Sequence, residues 1–301
     1  MSAVRIHKLS LRDQGLFEKY LNLSVHELSV YAFANIYIWK GFFDISWTEI
    51  NQSLCVFFQD KIGSFLYLSP LSKKPDSLVV TEAFRIMDKL NANKEISRIE
   101  NVEVKDLDYY RKLGFVCQEK SVDYICSRFD LAQLRGDKFK SKRANFNYFS
   151  KHYKSECSPY SAKDAKDCLK LYKLWAAQRS ENSKDDLYRF LLEDSLKSLK
   201  VLLTNYQDLN CTGRLVRVDG ELRGFTFGFK LNSETFCILY EITDLSIKGL
   251  AQFIFREFSR QMSDYKYINI MDDSGLENLK KVKLSYHPVK LVPAFIVKRK
   301  S

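Results

Sequence analysis

Two stretches decide the fold: YYRKLGFVCQEKSVDYIC at residues 109–126 and ENLKKVKLSYHPVKLVPAFIV at residues 277–297. Each reads as the end of a basic amphipathic helix, then a short turn, then an extended apolar stretch. The turns carry the aromatic residues Phe115 and Tyr286. Each stretch follows a β-rich segment and ends its half of the chain. A period of about half the chain indicates two copies of one domain rather than a solenoid.

The length of the chain fits this duplication. At 301 residues it can form two domains of about 150 residues each. The seam is predicted within residues 127–136, which gives an N-terminal domain at 1–130 and a C-terminal domain at 131–301. With 5 prolines and no Gly/Ser-rich stretch, we expect no flexible linker between them.

The periodicity predicts helices and strands in the same order in both halves. Asp219-Gly220 is a strong hairpin signal, and Lys61-Ile62-Gly63 is a second predicted hairpin tip. The order predicts an α/β fold of the α+β type with a mixed sheet. The clearest predicted helices span residues 77–94, 163–180, 185–199, 248–262 and 276–285.

The composition excludes several classes of protein. No apolar run approaches the roughly 20 residues that span a bilayer, and the N-terminus has no secretory signal pattern. The seven cysteines are scattered without a CxxC pair, and the four histidines are dispersed. A disulfide framework and a zinc site are therefore not predicted. We expect a cytoplasmic, metal-free protein without a tightly bound cofactor.

The positive charge is unevenly distributed. The net charge is +11, yet residues 1–130 hold 17 basic and 17 acidic residues, so the whole excess follows residue 130. Residues 131–154 and 276–301 each hold seven basic residues and one acidic residue. Such segments attract polyanions. The alternative is that their lysines solvate helix faces.

The element order of the second half resembles the GNAT acyltransferase fold. In that family a loop and a helix N-terminus bind the pyrophosphate of acyl-CoA through free N–H groups. Gly249-x-Ala251 fits the end of the family's loop pattern, but Ser246 stands where the family has Gln or Arg. The corresponding residues of the first half, 69–75, have no glycine, so the first domain is expected to lack a ligand site. The resemblance implies a cofactor-binding loop formed by Ser246, Lys248, Gly249, Leu250 and Ala251.

A closer resemblance covers most of the chain. Residues 31–39, 134–153, 239–258 and 267–291 resemble the family known as DUF2156, or phosphatidylglycerol lysyltransferase C-terminal domain. That family is similar to the Fem-type aminoacyltransferases and implies two tandem GNAT-like domains. Some membrane-anchored members transfer an aminoacyl group from tRNA to a lipid. The membrane domain of those members is not expected here, which puts the lipid substrate in doubt, while peripheral contact with a membrane stays open.

The resemblance gives the basic segments a role in binding tRNA or CoA phosphates. Cations would hold the phosphates, and neighbouring aromatic and Asn side chains would contact bases. The alternatives are a linker helix between the two domains, with Phe146 and Phe149 in their interface, and a solvated face for the C-terminal lysines. The residues assigned to phosphate or nucleic-acid binding are Lys138, Lys142, Arg143, Asn145, Lys281 and Lys283.

Three residues are the catalytic candidates for acyl transfer. Glu241 lies within the apolar strand ILYEITD, where burial would raise its pKa and suit it to accept the proton of an amine. Asp272 lies near a strand end, and the phenol of Tyr286 could protonate a leaving group. The alternatives are a solvent-facing Glu241 and an Asp-Asp-Ser-Gly turn with a helix N-cap at residues 272–275.

The sequence thus predicts an acyl- or aminoacyltransferase that transfers directly from aminoacyl-tRNA or acyl-CoA to an amine or hydroxyl acceptor. No Ser/His/Asp or Cys/His pattern indicates a covalent intermediate. The alternatives are a catalytically inactive GNAT-like pair that binds tRNA or another polyanion, and a scaffold that binds neither. The acceptor, whether a small molecule or a peptide, and the oligomeric state are not predicted.

Overall fold

The computed structural model describes residues 5–180 and 186–300. The chain forms two compact units. The first contains the residues up to Asp123 and those from Val292 onward, and the second runs from Tyr124 to Leu291. The domain boundary between residues 130 and 131 stays a prediction. Among the described residues, none of the helices combines the length and apolar character needed to cross a bilayer.

The described residues form the following elements. The strands are β1 (His7–Lys8), β2 (Asp44–Ile50), β3 (Ser53–Gln59), β4 (Ser64–Leu66), β5 (Ile99–Glu103), β6 (Val116–Ser127), β7 (Ser155–Pro159), β8 (Cys211–Val218), β9 (Glu221–Lys230), β10 (Thr235–Thr243), β11 (Tyr267–Asn269) and β12 (Lys290–Lys298). The helices are α1 (Gln14–Leu21), α2 (Phe33–Ile38), α3 (Ser77–Leu90), α4 (Leu107–Lys112), α5 (Arg128–Gln133), α6 (Lys140–His152), α7 (Ala165–Ser180), α8 (Asp186–Thr204), α9 (Leu250–Gln261) and α10 (Glu277–Leu284).

The first unit contains a mixed sheet in the order β1-β2-β3-β4-β5-β12. Its strands pair antiparallel except β4 and β5, which are parallel and are joined through α3. The apolar face of α3 covers the sheet, and the core includes Phe57, Val79, Phe84 and Val102. Burial of this face, rather than helix propensity, fixes α3 on the sheet.

The second unit repeats this arrangement. Its sheet has the order β7-β8-β9-β10-β11-β6. Only β10 and β11 are parallel, and α9 joins them. Phe258 and Ile254 of α9 are buried in the two core clusters of this unit. Both units therefore place the ends of two adjacent parallel strands beside a helix N-terminus, where ligands commonly bind in α/β sheets.

The sixth strand of each sheet comes from the other half of the sequence. Residues 125–127 of β6, which end the first half, pair with β11 of the second unit. Strand β12, which ends the second half, pairs with β5 of the first unit. The two similar stretches of sequence are thus equivalent strands that have been exchanged.

Local residues explain the boundaries of the elements. Both predicted hairpins are present, and Asp219 and Gly220 have φ values of 50° and 84°, as a two-residue turn between twisted strands requires. The predicted helix at 77–94 ends earlier, at Leu90. It ends there because the Asn91 side chain accepts a hydrogen bond from the Ser64 N–H and donates one to the Ser64 carbonyl.

Candidate active site

Glu241 lies on β10. Just before it, between Ile238 and Tyr240, a β-bulge interrupts the pairing of β10 with β9. Bulges re-aim side chains and occur often beside active sites. The Oε2 atom of Glu241 is buried and has no hydrogen-bond partner among the described residues. Burial raises the pKa of this carboxyl to about 8, although Lys142 and Lys283 act in the opposite direction. Glu241 is therefore mostly protonated at neutral pH.

Lys142 reaches Glu241 from α6. Its Nζ atom lies 4.1 Å from the centre of the Tyr286 ring, a cation–π distance. Burial lowers the pKa of Lys142, while the negative charge of Glu241 opposes that change. The two side chains thus favour the charged form of each other.

Tyr286 follows α10 and is 7 % exposed. Its ring packs on Phe255 of α9, with 4.4 Å between the ring centres. Burial, and next to it the charge of Glu241, raises the pKa of Tyr286 well above the usual value of a phenol. Tyr286 is therefore a neutral hydrogen-bond donor at physiological pH.

Two residues that the sequence analysis did not single out also belong to this cluster. Cys126 of β6 acts electrostatically on Tyr286, and burial raises the pKa of its thiol to about 12, so it is not a reactive thiolate. Tyr124, two residues earlier, is buried in the same apolar cluster and donates a 2.5 Å hydrogen bond to Oδ2 of Asp273. The alternation of Tyr124 and Cys126 along a strand was the available signal, but it lies in the predicted first domain.

Lys283 of α10 anchors the chain after β11. Its Nζ donates hydrogen bonds to the carbonyls of Ile270 and Met271, the second at 3.1 Å. Its charge also lowers the pKa of Glu241, after that of Lys142. Lys283 therefore connects α10 to the chain that follows β11 by hydrogen bonds. It also acts electrostatically on Glu241, the candidate base.

Asp272 has the turn-forming role that was its alternative interpretation. Its Oδ1 accepts a 3.3 Å hydrogen bond from the Ser274 N–H, and Asp273 Oδ1 accepts one of 3.0 Å from the Gly275 N–H. These are the local contacts expected of Asp residues in a turn. Nothing in the described structure links the Asp272 carboxylate to Glu241.

The predicted cofactor loop is shaped by Asp244, which is 2 % exposed. Its carboxylate accepts hydrogen bonds from Arg223, Gln178 and both the N–H and the hydroxyl of Ser246. Although burial opposes ionisation, these donors hold the pKa of Asp244 below its usual value. Ser246 is therefore engaged with Asp244 inside the loop. Lys248 Nζ lies 4.5 Å from the centre of the Tyr148 ring.

Gly249 precedes α9 with a φ of 84°, so a residue with a side chain would be strained there. An added Cβ would lie 2.2 Å from the Asn145 carbonyl oxygen of α6. The space that Gly249 leaves open by having no side chain is thus filled by the backbone of α6. Leu250 is fully buried and Ala251 is half-buried.

The remaining predicted cations differ in their surroundings. Lys138 forms a 2.8 Å ion pair with Asp130, and Arg143 donates to the carbonyls of Leu134 and Gly136 after α5. Lys281 is exposed on α10. Helix α6 lies within the second unit and packs there on α9 through Phe146 and Phe149, which both contact Phe253, so it is not the linker between domains that the alternative expected. The structure therefore brings together Lys142 and Lys283 beside Glu241 and turns Lys138 and Arg143 to other partners.

No cluster of three or more His, Cys, Asp or Glu side chains in the described ranges 5–180 and 186–300 is arranged to hold a metal ion. All seven cysteines are free.

Comparison with solved structures identifies the fold. The chain is similar to a conserved protein of unknown function from Bacteroides thetaiotaomicron, with 27% identity and a TM-score of 0.87 over 99% of this chain and 100% of that chain. It is similar to the C-terminal (DUF2156) domain of a putative lysylphosphatidylglycerol synthetase from Agrobacterium fabrum, with 11% identity and a TM-score of 0.66 over 97% and 93%.

A tandem GNAT protein from the clavulanic acid biosynthesis pathway matches with 8% identity and a TM-score of 0.53 over 99% of each chain. The predicted α/β fold of two tandem GNAT-like domains is thus confirmed. No curated protein matches the chain.

The family described as "Phosphatidylglycerol lysyltransferase, C-terminal" matches residues 22–298, which is nearly the whole chain. The match covers most of the first unit and the whole second unit, including Glu241, Lys142 and Tyr286. The resemblance found in the sequence is confirmed, and the chain belongs to the phosphatidylglycerol lysyltransferase C-terminal family.

Proposed function

We propose that this chain is an aminoacyl- or acyltransferase whose reaction takes place at Glu241 in the second unit. The observation that carries the proposal is the buried Oε2 atom of Glu241, which has no hydrogen-bond partner among the described residues. An unpaired buried carboxyl is costly unless it has a function or a ligand. Its pKa of about 8 is close to the working pH that suits a general acid and base.

The proposed reaction is direct transfer. A neutral amine attacks the ester carbonyl of the donor, a C–N bond forms, and the amine proton passes to the Glu241 carboxylate. The C–O bond of the ester then breaks, and the leaving oxygen takes a proton from the carboxylic acid of Glu241. The products are an amide and an alcohol, and Glu241 returns to its starting state. Lys142 keeps part of the Glu241 population ionised, since its charge lowers the Glu241 pKa.

Tyr286 has a supporting role in this proposal. Its raised pKa keeps it protonated, so its O–H can donate a hydrogen bond to the oxygen on which negative charge develops. A hydroxyl acceptor could follow the same path, with Glu241 accepting the hydroxyl proton.

Aminoacyl-tRNA is the donor that we favour. The family name describes a lysyltransferase, and an aminoacyl ester is the activated form of an amino acid. For acyl-CoA, the space beside Gly249 would be needed by a phosphate, and the Asn145 carbonyl fills that space. Use of aminoacyl-tRNA would place the reaction in the cytoplasm. The acceptor is a small amine, a peptide or, at a membrane surface, a lipid headgroup.

The test compares Glu241→Gln with Glu277→Gln, an exposed carboxylate on α10. Transfer of radiolabelled amino acids from a charged tRNA pool is measured with polyamines, peptides and phosphatidylglycerol vesicles as acceptors, and a parallel series uses acetyl-CoA. We expect Glu241→Gln to lower the rate at least about 100-fold, the usual contribution of a general base. Full activity of Glu241→Gln on any acceptor that the wild-type protein uses would refute the role of Glu241.

The same experiment tests the alternative, an inactive module that binds polyanions. The exposed side chains of Lys280 and Lys281 on α10 support it. Salt-dependent binding of tRNA without transfer to any acceptor would select this alternative.

A further inference from the structure

The first unit contains a cavity of about 160 Å³ in the region that was expected to lack a ligand site. It lies where the parallel strands β4 and β5 end. Residues 69–73 follow β4 and line one wall, and Lys105 and Asp106 follow β5 and line another. The carboxyl ends of adjacent parallel strands are the usual place for a ligand in an α/β sheet.

One carboxylate beside this cavity is fully compensated. Glu103 is buried, and its Oε2 lies 2.8 Å from His26 Nδ1 and 2.7 Å from Lys105 Nζ. Its Oε1 accepts a 3.0 Å hydrogen bond from the Glu27 N–H. Although burial opposes ionisation, these partners hold the pKa of Glu103 below its usual value.

A second carboxylate, Asp106, lines the cavity and is not compensated in this way. It is half-buried, and none of the basic side chains in the described part of the chain forms an ion pair with it. Burial, and after it the charge of Glu103, raises its pKa, although the charges of Lys105 and His26 act in the opposite direction. Its side chain does not cap α4 either. An acidic group in this position is stabilised when a cation binds beside it.

Part of the remaining wall is aromatic. Tyr20, Tyr31, Tyr109 and Tyr110 all line the cavity. The hydroxyl of Tyr109 is buried and has no hydrogen-bond partner within the described residues. Aromatic rings around a carboxylate are the surroundings in which proteins bind organic ammonium groups.

We propose that the first unit binds a small molecule with a primary ammonium group, which pairs with Asp106 among these tyrosines. The volume resembles that of cavities that hold a molecule of about six heavy atoms. The ligand is therefore a short alkylamine or amino alcohol, free or as the end of a longer chain. This site goes beyond the proposed transfer reaction, because it consists of first-unit residues and needs no donor.

The test measures binding by isothermal titration calorimetry and by the shift in Tm of the full chain. The probes are ethanolamine and cadaverine, with ethylene glycol and 1,5-pentanediol as neutral counterparts of the same size. 5-Aminopentanoate tests whether a carboxylate at the other end of the ligand is also accepted. We expect the amines to bind and the diols not to bind. Equal binding of amines and diols, or no binding of either amine at millimolar concentration, would overturn the proposal.

Asp106→Asn is compared with Asp108→Asn, an exposed residue of the same helix that does not line the cavity. We expect Asp106→Asn to weaken amine binding about tenfold or more, as expected for loss of a charged hydrogen-bond partner. Tyr109→Phe removes only the unpartnered hydroxyl, so it should keep the fold and weaken binding. Unchanged affinity in both Asp106→Asn and Tyr109→Phe would place the amine elsewhere. Because the readout is binding, a negative result leaves the transfer reaction of the second unit untouched.

Discussion

The carbonyl oxygen of Asn145 occupies the space that a side chain at position 249 would need. An added Cβ on Gly249 would lie 2.2 Å from this oxygen, and Gly249 also has a φ of 84°. The contact joins α6 to the first turn of α9, the helix that connects the two parallel strands of the second unit. It therefore fixes the position of Lys142, three residues earlier on α6.

We expect Gly249→Ala to destabilise the protein by about 3 kcal/mol or more, from the strained φ and the forced movement of α6 together. Gly220→Ala is the matched control, because Gly220 has the same φ of 84° and open space around its Cβ position. It should cost only about 1–2 kcal/mol, the strain alone. Urea unfolding of the two variants measures the difference. Equal losses of unfolding free energy in Gly249→Ala and Gly220→Ala would contradict the prediction, because they would mean that α6 moves aside without an energetic cost.

Glu241 should make the stability of the fold decrease as pH rises. Its pKa is raised from 4.5 to about 8. Below pH 4.5 it is protonated in both states. Between 4.5 and about 8 it ionises only in the unfolded chain, so unfolding is increasingly favoured, and above about 8 the effect is constant. The loss is at most roughly 5 kcal/mol, because the pKa rises by about 3.5 and each pKa unit corresponds to about 1.4 kcal/mol.

Glu241→Gln should therefore become more stable than the wild-type protein as pH is raised through this window. Denaturant unfolding at several pH values compares both proteins with Glu277→Gln as the control. Parallel stability curves for wild type and Glu241→Gln would show that Glu241 ionises normally.

Lys142→Met should raise the pKa of Glu241 further, by roughly one unit, because it removes the positive charge that lowers the pKa of that carboxyl most. The pKa is measured by NMR titration of carbonyl-labelled Glu side chains. Lys140→Met, an exposed lysine two residues earlier on the same helix, is the control and should leave the Glu241 titration unchanged. A downward or absent shift in Lys142→Met would contradict the arrangement.

Arg143 and Lys281 should behave differently although both were assigned to phosphate binding. Arg143→Ala removes the donor to the carbonyls of Leu134 and Gly136, so we expect a lower Tm and a loss of about 1.5–3 kcal/mol. Lys281→Glu should leave the Tm unchanged and, where tRNA binds, reduce the salt dependence of binding. The prediction fails if Arg143→Ala keeps the wild-type Tm.

Much of the fold could be predicted because its signals are local. The Asp219-Gly220 turn and the amphipathic pattern of α3 depend on residues close in sequence. The exchange of β6 and β12 could not be predicted, since strand pairing between distant segments leaves no local periodicity. As a result, Tyr124 and Cys126 were assigned to the first domain although they belong to the second unit.

The candidate site was predictable to the extent that burial could be read from the sequence. Glu241 is an acidic residue within the apolar strand ILYEITD, so a raised pKa could be expected from its position. The different partners of Lys142 and Arg143 could not be predicted, because the two residues have almost the same neighbours in the sequence. On a helix, however, adjacent side chains point about 100° apart. Only the packing of α6 directs one towards Glu241 and the other towards α5.

The exchanged strands also have a consequence for biosynthesis. The first unit needs Val292 and the residues after it, because β12 is the partner of β5. During translation, the first unit is therefore completed only after the second unit has been synthesised. Until β12 has been made, β5 presents an open edge to other chains. Removal of β12 would thus destabilise a unit whose other residues lie more than 160 positions earlier in the sequence.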